Sequence, residues 1–167
     1  MHLDKRYILI FLILLLFTVS CNKTPQNLPE EVGIELNKLS QPLDYVYDIK
    51  PILSDRCFAC HGPDEAKVKG GLRLDNATTA YRKNKESGLK AIVPGNPAKS
   101  ELVFRILSDD PDIVMPSPDS HLSLTSEEKA KLIKWIEQGA EYKDHWAFEK
   151  IKKPKLPQVH ERKWPVN

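Results

Sequence analysis

Cys57-Phe58-Ala59-Cys60-His61 restricts this chain more than any other stretch of its 167 residues. Side chains three and four positions apart share one face of a helix, so both thiols and the imidazole can point at a single object. A structural zinc site would need a fourth ligand and a second Cys or His pair at matching spacing. No other cysteine pair exists, and the remaining histidines are scattered at 2, 121, 145 and 160. A thioredoxin-like redox disulfide would follow a strand, whereas an apolar helical pattern precedes Cys57 and no alternating strand and helix pattern follows. A structural disulfide with His61 as a bystander is the remaining plain alternative.

The N-terminus fixes the compartment in which that motif is read. Lys5 and Arg6 precede an unbroken apolar run from Tyr7 to Phe17, eleven residues, too short to span a bilayer as a helix and suited to a signal peptide. Phe17-Thr18-Val19-Ser20-Cys21 resembles a bacterial lipobox, with Thr18 where leucine is usual. The expectation is a lipoprotein signal over 1–20, acylation of Cys21 and export to a periplasmic or outer membrane face. Residues 21–43 read as an acylated cysteine followed by a flexible, polar tether. With Cys21 carrying lipid and Cys57 and Cys60 carrying another group, no orphan thiol is left among the three cysteines.

In an exported chain, C-x-x-C-H is the pattern of covalent haem attachment: two thioethers to the porphyrin edge and an imidazole to iron. The expected cofactor is therefore one haem c, with iron bound by His61. The sixth ligand is open on spacing alone. Met115 is the only methionine besides the initiator and lies in a Pro-rich segment, His121 is an alternative, and so is a vacant position. Arg73 and Lys69 are candidate partners of the haem carboxylates, with plain surface solvation as the alternative. Pro94 is a candidate to orient the His61 ring through its carbonyl.

Around the motif the pattern is mostly α. Apolar positions predict a helix over 45–59, with Pro51 either kinking it or starting its main body. Asn96-Pro97 opens a second helix over 97–108, and Thr125-Ser126-Glu127-Glu128 opens a third with a capping box, closed by Gly139. Leu132, Ile133 and Ile136 form its expected buried stripe with Trp135 flanking, and Glu127, Lys131 and Lys134 face water. Gly70 to Asp75 reads as a short strand or an extended turn. The cytochrome-sized domain spans 44–144, and 145–167 reads as a Pro- and Lys-rich linker. Formal charge is +2 with both signs spread along the chain, which argues against nucleic acid as a partner.

Taken in order, these motifs resemble the planctomycete-type cytochrome c domain, an N-terminal module of large exported bacterial proteins. The resemblance runs from about Asp44 to Val159. It rests on Ile49-Lys50-Pro51-Ile52-Leu53, Cys57-x-x-Cys60-His61-Gly62, Gly70-Gly71-Leu72-Arg73-Leu74-Asp75, Val93-Pro94-Gly95, Met115-Pro116, Leu124-Thr125 through Trp135 to Ala140, and His145-Trp146-Ala147-Phe148. It implies a small, mostly helical mono-haem fold with Cys57 and Cys60 as attachment points, His61 as proximal and Met115 as distal ligand. Ser117 departs from the second proline that is common there, which should loosen the loop. Trp164-Pro165-Val166-Asn167 resembles a point from which family members continue into further domains. The implied role is electron transfer with unidentified redox partner proteins at a membrane reached through the lipid anchor. A structural or sensory haem, or a weak peroxidase-like activity, are the alternatives.

Overall fold

Leu53 and Ile49 have no exposed surface, and a helix running from Tyr45 to His61 brings both onto one side of the chain. The computed structural model describes residues 25, 28–85, 87–144 and 147. The expected signal peptide, Cys21, His145, Trp146, Phe148 and nearly all of the 145–167 tail lie outside the described residues. Six α-helices occur among the described residues: α1 Glu30–Lys38, α2 Lys50–Arg56, α3 Phe58–His61, α4 Ala77–Ala80, α5 Glu101–Ile106 and α6 Ser126–Glu137. Single 3-10 turns sit at Glu65–Lys67, Pro97–Lys99 and Pro118–Ser120. The only β-type pairing among the described residues is a bridge between Lys83 and Lys90, so the architecture is all helical.

The expected helix over 45–59 forms, but in three pieces. A wide π-type turn over Tyr45–Ile49 is capped by Asp44, whose Oδ1 accepts from the Val46 N–H at 2.8 Å and the Tyr47 N–H at 3.3 Å. Pro51 then stands in the first turn of α2, where its missing N–H costs nothing, and so starts the main body. Cys57 separates α2 from α3.

Helix α6 is the scaffold on which α1, α5 and the Tyr45–Ile49 turn pack. Its capping box is complete: the Glu128 N–H donates to Thr125 Oγ1 at 3.1 Å, and the Thr125 N–H donates to Glu128 Oε2 at 2.8 Å. Ala130, Leu132, Ile133, Trp135 and Ile136 are all buried, a wider stripe than the sequence suggests. Trp135 is not a flanking residue: it is 2% exposed. Tyr45 and Tyr142 cover it, with ring centroids 5.7 and 5.2 Å away, and its indole N–H donates to the Glu141 carbonyl at 3.1 Å. A helix that meets both the Tyr45–Ile49 turn and a second helix needs more apolar surface than a single stripe.

The second partner corrects the expected tether over 21–43. Residues 30–38 form α1, which packs along α6 and buries Val32 to 1% exposure. Val32, Leu36 and Leu39 bury little apolar surface on their own, so an isolated reading of the segment misses a helix that only α6 stabilises. The folded unit therefore begins before Asp44. The expected helix over 97–108 is interrupted at Ser100, which is buried and extended; its hydroxyl accepts from the Val93 N–H and donates to the Asn96 carbonyl, both at 2.9 Å. Gly70 to Asp75 is an extended turn rather than a strand.

Candidate haem site

The Cys57–His61 segment is held by backbone hydrogen bonds from the turn that follows it. The Lys69 N–H donates to the Cys60 carbonyl at 2.9 Å, and the Leu74 N–H donates to the His61 carbonyl at 2.7 Å. Gly70 and Gly71 both take left-handed backbone conformations, φ 58° and 61°, which fold residues 69–74 back over the motif. Gly62 is needed for a different reason. A Cβ there would collide with the Phe58 carbonyl and Cβ, so only glycine lets the chain turn out of α3 so tightly.

This fold-back meets the imidazole. His61 Nδ1 lies 3.2 Å from the Leu72 carbonyl, which can only accept, so Nδ1 carries the proton and Nε2 keeps its lone pair. Burial lowers the His61 pKa below its ordinary value; the Leu72 carbonyl opposes the shift, and Lys69 and Arg105 add to it. The ring is neutral and fixed in one tautomer, as an axial ligand requires. Pro94, the sequence candidate for this task, is exposed and borders no part of the site. The orienting carbonyl is that of Leu72. The Gly-Gly pair was the available signal, because two residues at positive φ reverse a chain.

Cys57, Cys60 and His61 border a cavity of about 530 Å³. Both thiols are free, and burial pushes Cys57 up to about 12, with Glu128 adding to the effect. A thiol held protonated is the reverse of the acidic thiolate that a redox C-x-x-C motif uses. Among the described residues no cluster of three or more His, Cys, Asp or Glu is placed to hold a metal ion.

Met115 borders the same cavity, from a loop between α5 and α6. Its N–H donates to the Arg105 carbonyl at 3.2 Å, and the Arg105 guanidinium donates to the Ile113 carbonyl at 3.4 Å, so the last turn of α5 carries the loop. The Met115–Pro116 peptide is cis. Ser117 does not leave the loop slack: its carbonyl accepts from the Ser120 hydroxyl at 2.6 Å. His121 is exposed and is not part of the lining.

The volume falls within the roughly 300–1,000 Å³ of cofactor and ligand sites. Its border joins two thiols, a neutral imidazole and a thioether, the donor set that a covalently attached haem uses. These residues fit that group. Residues 57–119 match the model of the family described as Planctomycete cytochrome C. This segment is similar to that family. The match covers the motif, the Gly-Gly turn, α5 and the Met115 loop, while α1 and α6 fall outside it. No curated protein and no solved structure matches the chain.

Arg73 does not border the cavity. Its guanidinium donates to both Asp75 oxygens, at 2.9 and 2.7 Å, with Glu65 at 3.6 Å on its outer side. Asp75 and Arg73 hold each other charged, lowering the carboxyl pKa and raising that of the guanidinium. Of the two candidate partners for haem carboxylates, only Lys69 borders the cavity, together with Arg56, Arg82, Lys83, Lys85 and Arg105. Those five were not singled out in the sequence because four of them lie far from the motif along the chain.

Proposed function

We propose that this protein is an exported electron carrier in which one haem c is attached through Cys57 and Cys60 and bound axially by His61 and Met115. The observation that carries this reading is that all four side chains border one cavity although Met115 comes from a distant loop. Haem bound there supplies one-electron chemistry at its iron.

Each residue has a defined task in this reading. Cys57 and Cys60 fix one edge of the ring covalently, so the cofactor stays when the redox state changes. His61 keeps Nε2 free because its Nδ1–H donates to the Leu72 carbonyl. Met115 would hold the group from its own loop, and its soft thioether would favour the reduced metal and exclude other ligands. A closed distal face disfavours peroxide chemistry, which needs an open position beside an acid or base. The protein itself makes and breaks no substrate bond.

Export and lipid anchoring at Cys21 belong to the same proposal, supported by the basic, apolar and small-residue order of 1–21. They would hold the carrier at a membrane surface beside its redox partners. No helix of the described residues is long and apolar enough to cross a membrane.

Expression with a c-type haem maturation system tests the reading. A haem-stained band surviving denaturing electrophoresis and a reversible one-electron midpoint are expected. A protein that stains but is electrochemically silent would instead favour a structural or sensory haem. Ready peroxide turnover by the parent would favour the enzyme.

A further inference from the structure

Cations around the cavity mouth fall into two groups. Arg56 is committed to Glu128 at 3.2 Å and Arg105 to Glu101 at 3.0 Å. Lys69, Arg82, Lys83 and Lys85 border the same cavity, are exposed, and make no ion pair among the described residues.

These four are not scattered on a loose loop. The Asn84 N–H donates to the Leu89 carbonyl at 2.7 Å and the Gly88 N–H to the Asn84 carbonyl at 3.0 Å, which shapes a small hairpin beside the Lys83–Lys90 bridge. The Asn84 side-chain amide then donates to the Gly70 carbonyl at 3.0 Å, tying this hairpin to the turn that carries Lys69. Segment 82–90 has four basic residues against the single acid Glu86, in a chain whose total charge is only +2. Like charges gathered on one rim repel one another and raise the local potential, which an approaching anion relieves.

The rim also has an apolar centre. Leu89 borders the cavity and is 51% exposed, and Gly70 and Gly71 present backbone with no side chain above it. An apolar patch ringed by charge of one sign is the anatomy of a protein contact steered by electrostatics. We infer that Lys69, Arg82, Lys83 and Lys85, around Leu89 and the Gly70–Gly71 turn, form the docking surface for a redox protein with an acidic face. This inference rests on the haem reading of the cavity. One electron crosses the contact, the partner's redox centre loses or gains what the domain gains or loses, and no bond forms or breaks.

The test uses the haem-loaded protein with ferricyanide as an anionic oxidant and tris(phenanthroline)cobalt(III) as a cationic one, in stopped flow. In the parent, oxidation by ferricyanide should slow as salt shortens the screening length, and oxidation by the cobalt complex should not slow. Lys83→Glu with Lys85→Glu should slow ferricyanide at low salt by roughly tenfold, within the range expected for steering. Poly-glutamate, an acidic chain without a redox centre, should compete with ferricyanide in the parent and not in the double variant. Lys38→Glu with Lys50→Glu, outside the rim, is the control. The inference is overturned if the rim variant changes the ferricyanide rate no more than the control does, or if poly-glutamate does not compete. A shifted midpoint with unchanged probe rates would also overturn it, since the cations would then face the cofactor's own carboxylates. Failure of the haem reading looks different: the parent would show no covalent haem band and react with neither oxidant.

Discussion

The two walls of the cavity are built by opposite means. The wall bearing Cys57, Cys60 and His61 is local: one short helix, a glycine that allows a tight exit, and a turn whose backbone hydrogen bonds run from Lys69 to Cys60 and from Leu74 to His61. The wall bearing Met115 is long-range. That methionine sits on an irregular loop, and its position is inherited from the end of α5 through the Arg105 carbonyl and guanidinium. The first wall is strong because its parts are neighbours. The second is only as firm as the packing of α5 on α6.

Disrupting the two walls should therefore give different failures. The largest effect is expected on the local wall: Cys57→Ala with Cys60→Ala should abolish covalent haem completely, read as loss of the stained band on a denaturing gel. Survival of that band would refute thioether attachment. Next comes the far wall. Met115→Ala should leave attachment intact while the low-spin ferric spectrum and its weak near-infrared sulfur band disappear, the midpoint falls, and cyanide or peroxide gains access. If His121→Ala produced those changes and Met115→Ala did not, the distal assignment would move to His121.

Smaller changes sharpen the contrast. Gly62→Ala should cost about 1–3 kcal/mol, because the new Cβ overlaps the Phe58 backbone and the exit from α3 must shift. Thermal unfolding would report it, and an unchanged Tm would show that the turn has slack. Arg105→Ala should cost about 1 kcal/mol in stability and, more tellingly, raise the rate at which imidazole displaces Met115, while the attachment stays intact. Equal displacement rates in parent and variant would mean that the loop holds itself.

The smallest expected effect concerns Glu128, which caps α6 and pairs with Arg56. Burial raises its pKa, but the Thr125 N–H and Arg56 outweigh burial and leave it below the ordinary 4.5. A carboxyl whose folded pKa is depressed adds stability above its unfolded value and loses it as pH falls through the folded one. Glu128→Gln keeps the capping geometry and removes the charge. It should lose well under 1 kcal/mol at pH 7, because the pair keeps contact with water, and should flatten the decline of stability below pH 4.5. A parent and variant with parallel acid curves would assign that decline to other carboxyls.

How much could be read without coordinates follows the same division. The capping box, the start of α2 beside Pro51 and the end of α6 shortly before Gly139 depend on neighbouring residues, and each stands where local chemistry puts it. Trp135 and α1 were misjudged because neither is explained by its own neighbourhood. Trp135 is covered by Tyr45 and Tyr142, and Val32 has a core only once α6 lies beside it. Among the site residues, Asp75 captures Arg73, and the Leu72 carbonyl does the task expected of Pro94.

The order of residues by itself determined the C-x-x-C-H motif, its helical presentation and the mostly helical class, and it favoured haem over zinc or a redox disulfide as the expectation. Those properties depend on residue type and on separations of three or four positions, which any chain of this composition must respect. Only the tertiary structure decided that Met115 and not His121 borders the cavity, that Leu72 orients His61, and that four uncommitted cations meet at the mouth. Each of these depends on where a turn or loop is carried by a distant helix. A linear pattern contains the parts of such a contact, but the meeting itself is set by the packing of α1, the Tyr45–Ile49 turn and α5 against α6 and by the backbone bonds that fold residues 69–74 over the motif.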